Sequence, residues 1–266
     1  MRNKLPVAVL LTLVIVLAAP GYAQDATPPF SASLQSISAV SPTVQSPAKT
    51  VKAIVVKSWG DNPVWADLTT NWSTYGKMPV SIDHTTLISN DFTYQDLVNS
   101  KANVIILSDV AGGNQVYSAA ELAAIAKYAK KGHSVLGTYA TFENGGTDDR
   151  GLAPVFGLSS TLTYSFTGIS NTFKKDAKAC LLAKIKGSSW QSNGYPESQM
   201  PSTGSWTGNL GKAKAIADSD TFVGVITVHT TKTYTGVYVS NMPEYQNVGG
   251  DDEQLLYNAI TCYVKK

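Results

Sequence analysis

The segment Val135-Leu136-Gly137-Thr138-Tyr139-Ala140-Thr141 decides the fold assignment of this chain. It is a short apolar strand that runs into a tight turn, and it follows a predicted helix that ends at Gly132. Many α/β enzymes carry a catalytic Ser or Cys on a strained strand-to-helix elbow of this kind. Here the central residue is Tyr139. The segment therefore indicates a catalytic architecture together with an absent nucleophile.

The N-terminus has the pattern of a secretory signal peptide. Two basic residues, Arg2 and Lys4, precede an apolar run over residues 7–19, which ends at Pro20. The run is shorter than the roughly 20 residues that a membrane-spanning helix needs. Residues 1–23 are therefore predicted to be a signal peptide, and the alternative is a retained membrane anchor.

Composition divides the rest of the chain into a linker and a folded domain. Residues 24–49 are rich in Ser, Pro, Ala, Thr and Gln, so they carry too little apolar surface to offset the entropy cost of ordering. We predict that they form a disordered linker and that residues 50–266 form one α/β domain. The mature protein is expected to be exported to the periplasm or the extracellular space.

The charge of the mature chain argues against nucleic-acid binding. The sequence has 21 basic and 19 acidic residues, and two of the basic ones, Arg2 and Lys4, leave with the signal peptide. The remaining chain is neutral and has no cluster of Lys and Arg with interleaved aromatic residues. No later apolar run is long enough to span a bilayer. We therefore expect no nucleic-acid partner and no transmembrane span in the mature chain.

Two cysteines, Cys180 and Cys262, bear on the redox environment. An even number of cysteines in an exported protein permits a disulfide, and the alternative is two small buried apolar side chains. The histidines His84, His133 and His229 are scattered and no CxxC motif occurs. We therefore expect no metal site and no cofactor.

Strands and helices alternate through the first half of the predicted domain. Ser118 and Glu121 have the spacing of a capping box, which marks the start of the helix before the elbow. Such alternation predicts a mostly parallel sheet, with right-handed crossovers and flanking helices. The predicted elements are a strand at 51–56, a helix at 62–72, a strand at 80–88, a helix at 91–99, a strand at 102–107 and a helix at 118–131.

The second half is less regular. Residues 188–211 are rich in Ser, Gly, Asn and Pro and contain Trp190 and Trp206, so we predict a long loop or irregular β-excursion there. Long loops in compact domains tend to be functional or mobile. The other predicted elements are a strand at 162–166, a strand and short helix within 172–186, paired strands at 222–228 and 235–240, and an amphipathic helix at 251–264.

Four segments carry a resemblance to a known family. They are residues 104–109 with the following Gly112-Gly113, residues 118–132, residues 237–244 and residues 251–260. In order and spacing they resemble the class I glutamine amidotransferase-like superfamily, in its ThuA-like and β-galactosidase-trimerisation-like branch. The resemblance covers about residues 50–264 and implies a flavodoxin-like fold.

The catalytic residues of that superfamily are not matched. Tyr139 stands at the position of the elbow Cys, and Met242 stands at that of the His in the family's His-Pro-Glu segment, so only Pro243 and Glu244 agree. A Tyr hydroxyl has an ordinary pKa of about 10 and replaces a thiolate poorly at neutral pH. The resemblance therefore implies a pseudoenzyme that does not hydrolyse glutamine.

Acidic and strand-terminal residues remain as candidates for a site. Glu143, Asp148 and Glu244 are candidates for acid/base work, and the alternative for the first two is a solvated loop. In open parallel sheets, ligands bind beyond the carboxyl ends of the strands. The ligand-binding candidates chosen on that basis are Trp59, Asp109, Gly112, Gly113, Tyr139, Asn241 and Glu244.

Three functions follow from these observations. The first is an exported, non-catalytic domain that binds a small polar ligand or carbohydrate, because Trp and Tyr residues near the elbow suit the face of a sugar. The second is a hydrolase of another class that uses Glu143, Asp148 or Glu244. The third is an assembly or interaction module, such as a homo-oligomer, as the trimerisation-domain resemblance implies.

Overall fold

A computed structural model describes residues 49–58, 63–110, 115–144, 146–161, 163–168, 172–175, 179–195, 197–201, 210–220, 222–245 and 250–264. The predicted signal peptide, and the predicted linker except for its last residue, lie outside these ranges. So do the ligand candidates Trp59, Gly112 and Gly113, and Trp206 of the predicted excursion.

The described part of the chain alternates strands and helices up to residue 138 and is rich in strands after it. The strands are β1 (Val51–Val56), β2 (Val80–Leu87), β3 (Val104–Ser108), β4 (Ser134–Thr138), β5 (Glu143–Asn144), β6 (Thr147–Asp148), β7 (Tyr164–Gly168), β8 (Thr172–Lys175), β9 (Ser189–Gln191), β10 (Glu197–Pro201), β11 (Lys214–Ser219), β12 (Ile226–Thr230) and β13 (Thr235–Val239). The α-helices are α1 (Pro63–Thr70), α2 (Trp72–Tyr75), α3 (Tyr94–Ser100), α4 (Ala119–Lys130) and α5 (Asp251–Thr261), with 3₁₀ helices at Arg150–Phe156 and Cys180–Leu182.

A sheet of nine strands forms the centre of the domain, in the order β2-β1-β3-β4-β13-β12-β11-β8-β9. The first five strands are parallel to their neighbours. Their order is the 2-1-3-4-5 order of flavodoxin-like folds, with β13 as the fifth strand. From β13 onward the neighbours are antiparallel. The predicted α/β, flavodoxin-like fold with flanking helices is therefore confirmed, and its nine-stranded sheet is mixed, with the parallel strands in the half from β2 to β13.

The buried central strands have sequences that suit burial on both faces. Every residue of β3 and β4 is buried, as expected for the inner strands of a parallel sheet that helices cover on both sides. Ser118 and Glu121 form the predicted capping box at the start of α4. A second capping box, Thr93 with Asp96, starts α3 three residues later than the sequence prediction.

The closing helix α5 differs from its predicted amphipathic character. Residues 252–260 are all buried, including Asp252, Glu253 and Asn258. The segment around the Cys180–Leu182 3₁₀ helix packs on this helix, and Asn258 Nδ2 donates to the carbonyls of Leu181 and Ala183 at 2.9 and 2.7 Å. The polar residues of α5 therefore bind backbone groups and side chains instead of water.

A disulfide joins this 3₁₀ helix to the end of α5. Cys180 and Cys262 are bonded, with their Cα atoms 5.8 Å apart. The bond therefore links the segment between β8 and β9 to the C-terminal end of α5. No helix in the described ranges has the length and apolar character needed to cross a membrane.

Candidate functional site

Three neighbouring strands end in the same unusual way. Lys57 follows β1, Asp109 follows β3 and Tyr139 follows β4, and their φ angles are 39°, 44° and 44°. Non-glycine residues seldom adopt positive φ, and each such residue costs on the order of 1–3 kcal/mol. Strain of this kind persists where surrounding contacts hold it, and it is concentrated at ligand-binding and catalytic sites. The carboxyl edge of β1, β3 and β4 is therefore the candidate site.

The backbone around Tyr139 has the sharp turn predicted for an elbow. Its N–H is shared between the carbonyls of Val239 and Asn241, both at 3.0 Å, and its carbonyl accepts from Thr141 N–H at 2.8 Å. Gly137 lies just before the turn, where a Cβ atom would stand 2.7 Å from the ring of Phe156. The glycine thus allows close packing beneath a turn that β13 and the residues after it hold in place.

The ring of Tyr139 lies in a small aromatic cluster. Its centroid is 5.1 Å from those of Phe166 and Tyr195, and the Tyr195 ring is in turn 5.2 Å from that of Tyr245. Met242 packs in the same cluster and is buried. We call Tyr139, Phe166, Tyr195, Met242 and Tyr245 the elbow cluster. Its outer members Phe166, Tyr195 and Tyr245 are half-buried, so their rings face both the protein and the solvent.

The hydroxyl of Tyr139 is fixed by a carboxylate from β10. It donates to Oε2 of Glu197 at 2.9 Å. Burial, reinforced by this hydrogen bond to a negative group, raises the pKa of Tyr139 well above its ordinary value of 10.0. The phenol therefore stays protonated at neutral pH and acts as a hydrogen-bond donor.

Glu244 joins three strand ends below the elbow. Its Oε1 accepts hydrogen bonds from the hydroxyls of Ser108 at the end of β3 and Thr138 at the end of β4. The side chain is fully buried, and Oε2 has no hydrogen-bond partner among the described residues. Burial raises the pKa of Glu244 to about 7, although the two hydroxyls act in the opposite direction. Glu244 is therefore a buried acid that ties the strand ends together.

A polar network lies beside Glu244 at the start of α5. Asn241 Nδ2 donates to Ser192 Oγ at 2.8 Å, and Ser192 Oγ donates to Asp252 Oδ2 at 3.0 Å. The N–H of Asn193 donates to the same Asp252 oxygen at 2.7 Å. Burial raises the pKa of Asp252. These contacts attach the residues after β9 to both β13 and α5.

Residues 192–195 and β10 lie across the residues that follow β13, and we call them the covering segment. Tyr195 N–H donates to the Met242 carbonyl at 3.2 Å, and Gln199 N–H donates to the Ser240 carbonyl at 2.9 Å. A Cβ atom on Gly194 would lie only 2.5 Å from the Met242 carbonyl oxygen. The covering segment therefore contacts backbone directly, and this close approach requires glycine.

The two acidic candidates of the β5–β6 hairpin are held by an arginine. Arg150 Nη2 is 2.6 Å from Asp148 Oδ2, and its Nε is 3.4 Å from Glu143 Oε2. The hydrogen bond from Arg150 lowers the pKa of Asp148. Both carboxylates thus have a structural partner.

The neighbouring Asp149 is fully buried and accepts a hydrogen bond from Tyr117 N–H at 2.8 Å. Burial raises the pKa of Asp149 to about 7.

Lys57, at the end of β1, is buried in an ion-pair network. Its Nζ is 2.9 Å from Glu121 Oε1 and 2.6 Å from Asp91 Oδ1. Burial alone would lower the pKa of Lys57, but the two carboxylates outweigh it and raise the pKa. The ion pairs therefore fix the end of β1 against the start of α4.

Four of the ligand candidates predicted from the sequence meet at this edge. Asp109, Tyr139, Asn241 and Glu244 all follow strands β3, β4 and β13, and all four are buried. Eight further residues complete the site and were not among the predicted candidates: Lys57, Ser108, Thr138, Phe166, Ser192, Tyr195, Glu197 and Asp252. All but Thr138, which directly precedes Tyr139, lie far from the elbow in sequence. Of these, Lys57, Ser108 and Thr138 could have been found from the sequence, since they stand at the ends of predicted strands.

Comparison with known proteins gives the fold and no closer relationship. No family model matches the sequence, and no curated protein matches it. A solved structure from Parabacteroides merdae, described as ThuA-like, has a TM-score of 0.52 and 11% identity, over 82% of this chain and 92% of that one. A second ThuA-like structure, from Bacteroides uniformis, has a TM-score of 0.49 and 17% identity, over 82% and 93% of the two chains.

A structure described as a GMP synthase protein from Thermoplasma acidophilum has a TM-score of 0.46 and 14% identity, over 79% of this chain and 92% of that one. Identities this low carry information about the fold alone. The fold is therefore similar to that of the ThuA-like structure from Parabacteroides merdae.

Proposed function

We propose that this chain is an exported, non-catalytic amidotransferase-like domain that binds a small polar ligand or carbohydrate at the carboxyl edge of β1, β3 and β4. The observation that carries the proposal is the positive φ of Lys57, Asp109 and Tyr139 on three adjacent strands. Maintaining strain at one edge costs stability, and such strain is typical of sites that bind something. The same edge is where flavodoxin-like sheets bind their ligands.

The chemistry of the elbow supports binding over hydrolysis. Tyr139 and Met242 stand where the amidotransferase resemblance expects the nucleophile and its base. A covalent mechanism needs a nucleophile that can lose its proton and a base that can accept it. The phenol of Tyr139 holds its proton and donates to Glu197, and the thioether of Met242 is not a base at neutral pH.

The exposed part of the elbow cluster suits the recognition of a sugar. Phe166, Tyr195 and Tyr245 offer half-buried ring faces, and Glu197 offers a half-buried carboxylate beside them. Ring faces pack on the C–H face of a sugar, and a carboxylate accepts hydrogen bonds from its hydroxyls. We therefore assign contact with the ligand to these residues, and we assign support of the elbow to the buried Asp109, Asn241 and Glu244.

Export is supported by the disulfide. Structural disulfides persist mainly in oxidising compartments, and the bond between Cys180 and Cys262 accords with the predicted signal peptide. Expression of the full chain with N-terminal sequencing of the exported protein tests this part. A mature N-terminus near Gln24 is expected, and an uncleaved protein retained in the cytoplasm would contradict it.

The competing hydrolase hypothesis has less support. Glu143 and Asp148 are paired with Arg150, and Glu244 is fully buried, so none of the three is both open to solvent and free of a structural role. No contact of the described residues favours the assembly hypothesis over the other two.

Carbohydrate arrays and thermal-shift screens on the mature protein test the binding proposal. A ligand that raises the melting temperature should lose about fivefold in affinity with Tyr195→Ala or Tyr245→Ala, since each removes a ring worth roughly 1 kcal/mol. Tyr234→Ala, on the turn between β12 and β13, is the matched control and should bind normally. Absence of any stabilising saccharide or polar metabolite would refute the proposal.

A further inference from the structure

A second concave site lies at the other end of the sheet. A cavity of about 240 Å³ is lined by Lys212, Lys214, Ile216, Val228, Thr230 and Tyr263. Thr230 ends β12 and pairs with Thr235, the first residue of β13. The elbow lies beside Val239, the last residue of β13, whose carbonyl accepts from the N–H of Tyr139. The cavity and the elbow are thus at opposite ends of the same strand.

The floor of this cavity is apolar and built into the core. Ile216 and Val228 are buried and belong to the same core cluster as α5, and Tyr263, just after α5, packs against that cluster. The β11–β12 register shifts between Ala215 and Ala217, so Ile216 is the extra residue of a β-bulge. Bulges re-aim side chains and alter the local twist. The floor is therefore set by the fold of the sheet.

The rim of the cavity is cationic. Lys212 and Lys214 are exposed, and neither forms an ion pair with a carboxylate in the described ranges. The backbone of Lys212 is fixed, because its N–H donates to the Gly157 carbonyl at 2.9 Å. Thr230 adds a hydroxyl that can donate or accept. Two ammonium groups beside an apolar floor select for a molecule with an apolar body and a negative end.

We propose that this cavity binds a small organic carboxylate, with its apolar body on Ile216 and Val228 and its carboxylate between Lys212 and Lys214. The volume lies slightly below the roughly 300–1,000 Å³ of sites for drug-sized ligands, which fits a compact acid. Charge complementarity distinguishes this site from the elbow, where the half-buried Glu197 is itself an acid. The inference does not rest on the function proposed for the elbow.

Titration calorimetry and ligand-observed NMR with benzoate and hexanoate on the mature protein test this site. Both acids should bind saturably at millimolar concentrations, and the neutral isostere benzamide should bind at least about tenfold more weakly, because it lacks the charge-assisted contacts. Added salt should weaken the binding of both acids, since the lysines are exposed. Equal binding of benzoate and benzamide, or no binding of either acid, would overturn the proposal.

Variants locate the binding. Lys212→Gln and Lys214→Gln should each weaken benzoate binding by about three- to tenfold, whereas Lys214→Arg keeps it. Thr230→Phe should abolish benzoate binding, because its ring would fill the cavity from the exposed rim without altering the core. Lys130→Gln, on α4, is the control and should bind as the unaltered protein does. Benzoate binding that is insensitive to both lysine substitutions, or equally sensitive to Lys130→Gln, would refute this assignment, and the melting temperatures check that each variant is folded.

Discussion

The phenol of Tyr139 donates a 2.9 Å hydrogen bond to the carboxylate of Glu197, 58 positions further along the chain. This bond joins the elbow after β4 to the covering segment. Tyr139 therefore does more than occupy the place of a nucleophile, because its polar end holds a second element over the turn. The first prediction concerns this bond.

Tyr139→Phe should lower the free energy of unfolding by about 1 kcal/mol, since it removes one hydrogen bond to a charged group and keeps the ring in the cluster. Urea denaturation followed by fluorescence measures the change. Tyr234→Phe, on a half-buried turn, is the control and should have a smaller effect. A Tyr139→Phe protein as stable as the parent would mean that the Glu197 contact does not stabilise the fold.

Glu244 should make the protein less stable as the pH rises. Its pKa is raised by burial from the ordinary 4.5 to about 7, so the folded state keeps a proton that the unfolded state has lost in this interval. The contribution of Glu244 to the free energy of unfolding is fully present below pH 4.5 and is lost between pH 4.5 and about pH 7. The total loss is on the order of 3 kcal/mol.

Chemical denaturation as a function of pH measures this effect. Glu244→Gln keeps an oxygen that can accept from Ser108 and Thr138 but does not titrate, so it should flatten the profile. Asp149→Asn should remove a separate contribution of the same sign, because burial raises the pKa of Asp149 to about 7 as well. A profile that keeps its full slope in Glu244→Gln would show that another group controls it.

Loss of the disulfide should destabilise the protein strongly. The bond between Cys180 and Cys262 closes a loop with a sequence separation of 82, for which chain entropy gives about 4 kcal/mol. Thermal unfolding with and without a reductant should show a decrease on the order of 10 °C. The double variant Cys180→Ser/Cys262→Ser should melt at the lower temperature and ignore the reductant. Equal melting temperatures in both conditions would contradict the prediction.

Gly194→Ala should loosen the covering segment. The added methyl group would stand 2.5 Å from the Met242 carbonyl oxygen, and backbone cannot move aside cheaply, so we expect a cost of roughly 1–3 kcal/mol. Gly151→Ala is the matched control, because its nearest neighbour is the flexible end of Leu122 at 2.9 Å. Hydrogen exchange should increase at the Tyr195 amide, which bonds the Met242 carbonyl, only in Gly194→Ala.

Local sequence signals were enough to predict the parallel half of the fold. Two short-range patterns are involved: the capping box of Ser118 and Glu121, and the apolar strands before Asp109 and Tyr139. They correctly placed the elbow at the end of β4, after helix α4. β11 escaped prediction because Lys214–Ser219 is only weakly apolar and its place in the sheet depends on pairing with the distant strand β8 as well as with the neighbouring β12.

The surroundings of the elbow could not be predicted because they depend on long-range contacts. Two partners of Tyr139, Tyr195 and Glu197, come from a Ser- and Gly-rich region without clear periodicity. The third, Phe166, lies on a strand whose position in the sheets depends on distant pairing. For the same reason α5 was expected to have one exposed face. Tertiary packing of the segment after Cys180 covers that face, and no property of the helix sequence reveals this.

The position of β13 between β4 and β12 determines the order in which the chain can fold. β4 pairs with a strand that is synthesised about a hundred residues later, so its edge stays open while the intervening chain emerges. Such non-local pairing slows folding, and an open apolar edge invites association with other chains. The turn at Tyr139 receives its two carbonyl acceptors only when β13 arrives. An unfinished chain therefore carries an unpaired edge on a strand that is fully buried in the complete fold, and it is expected to be more prone to association than the complete protein.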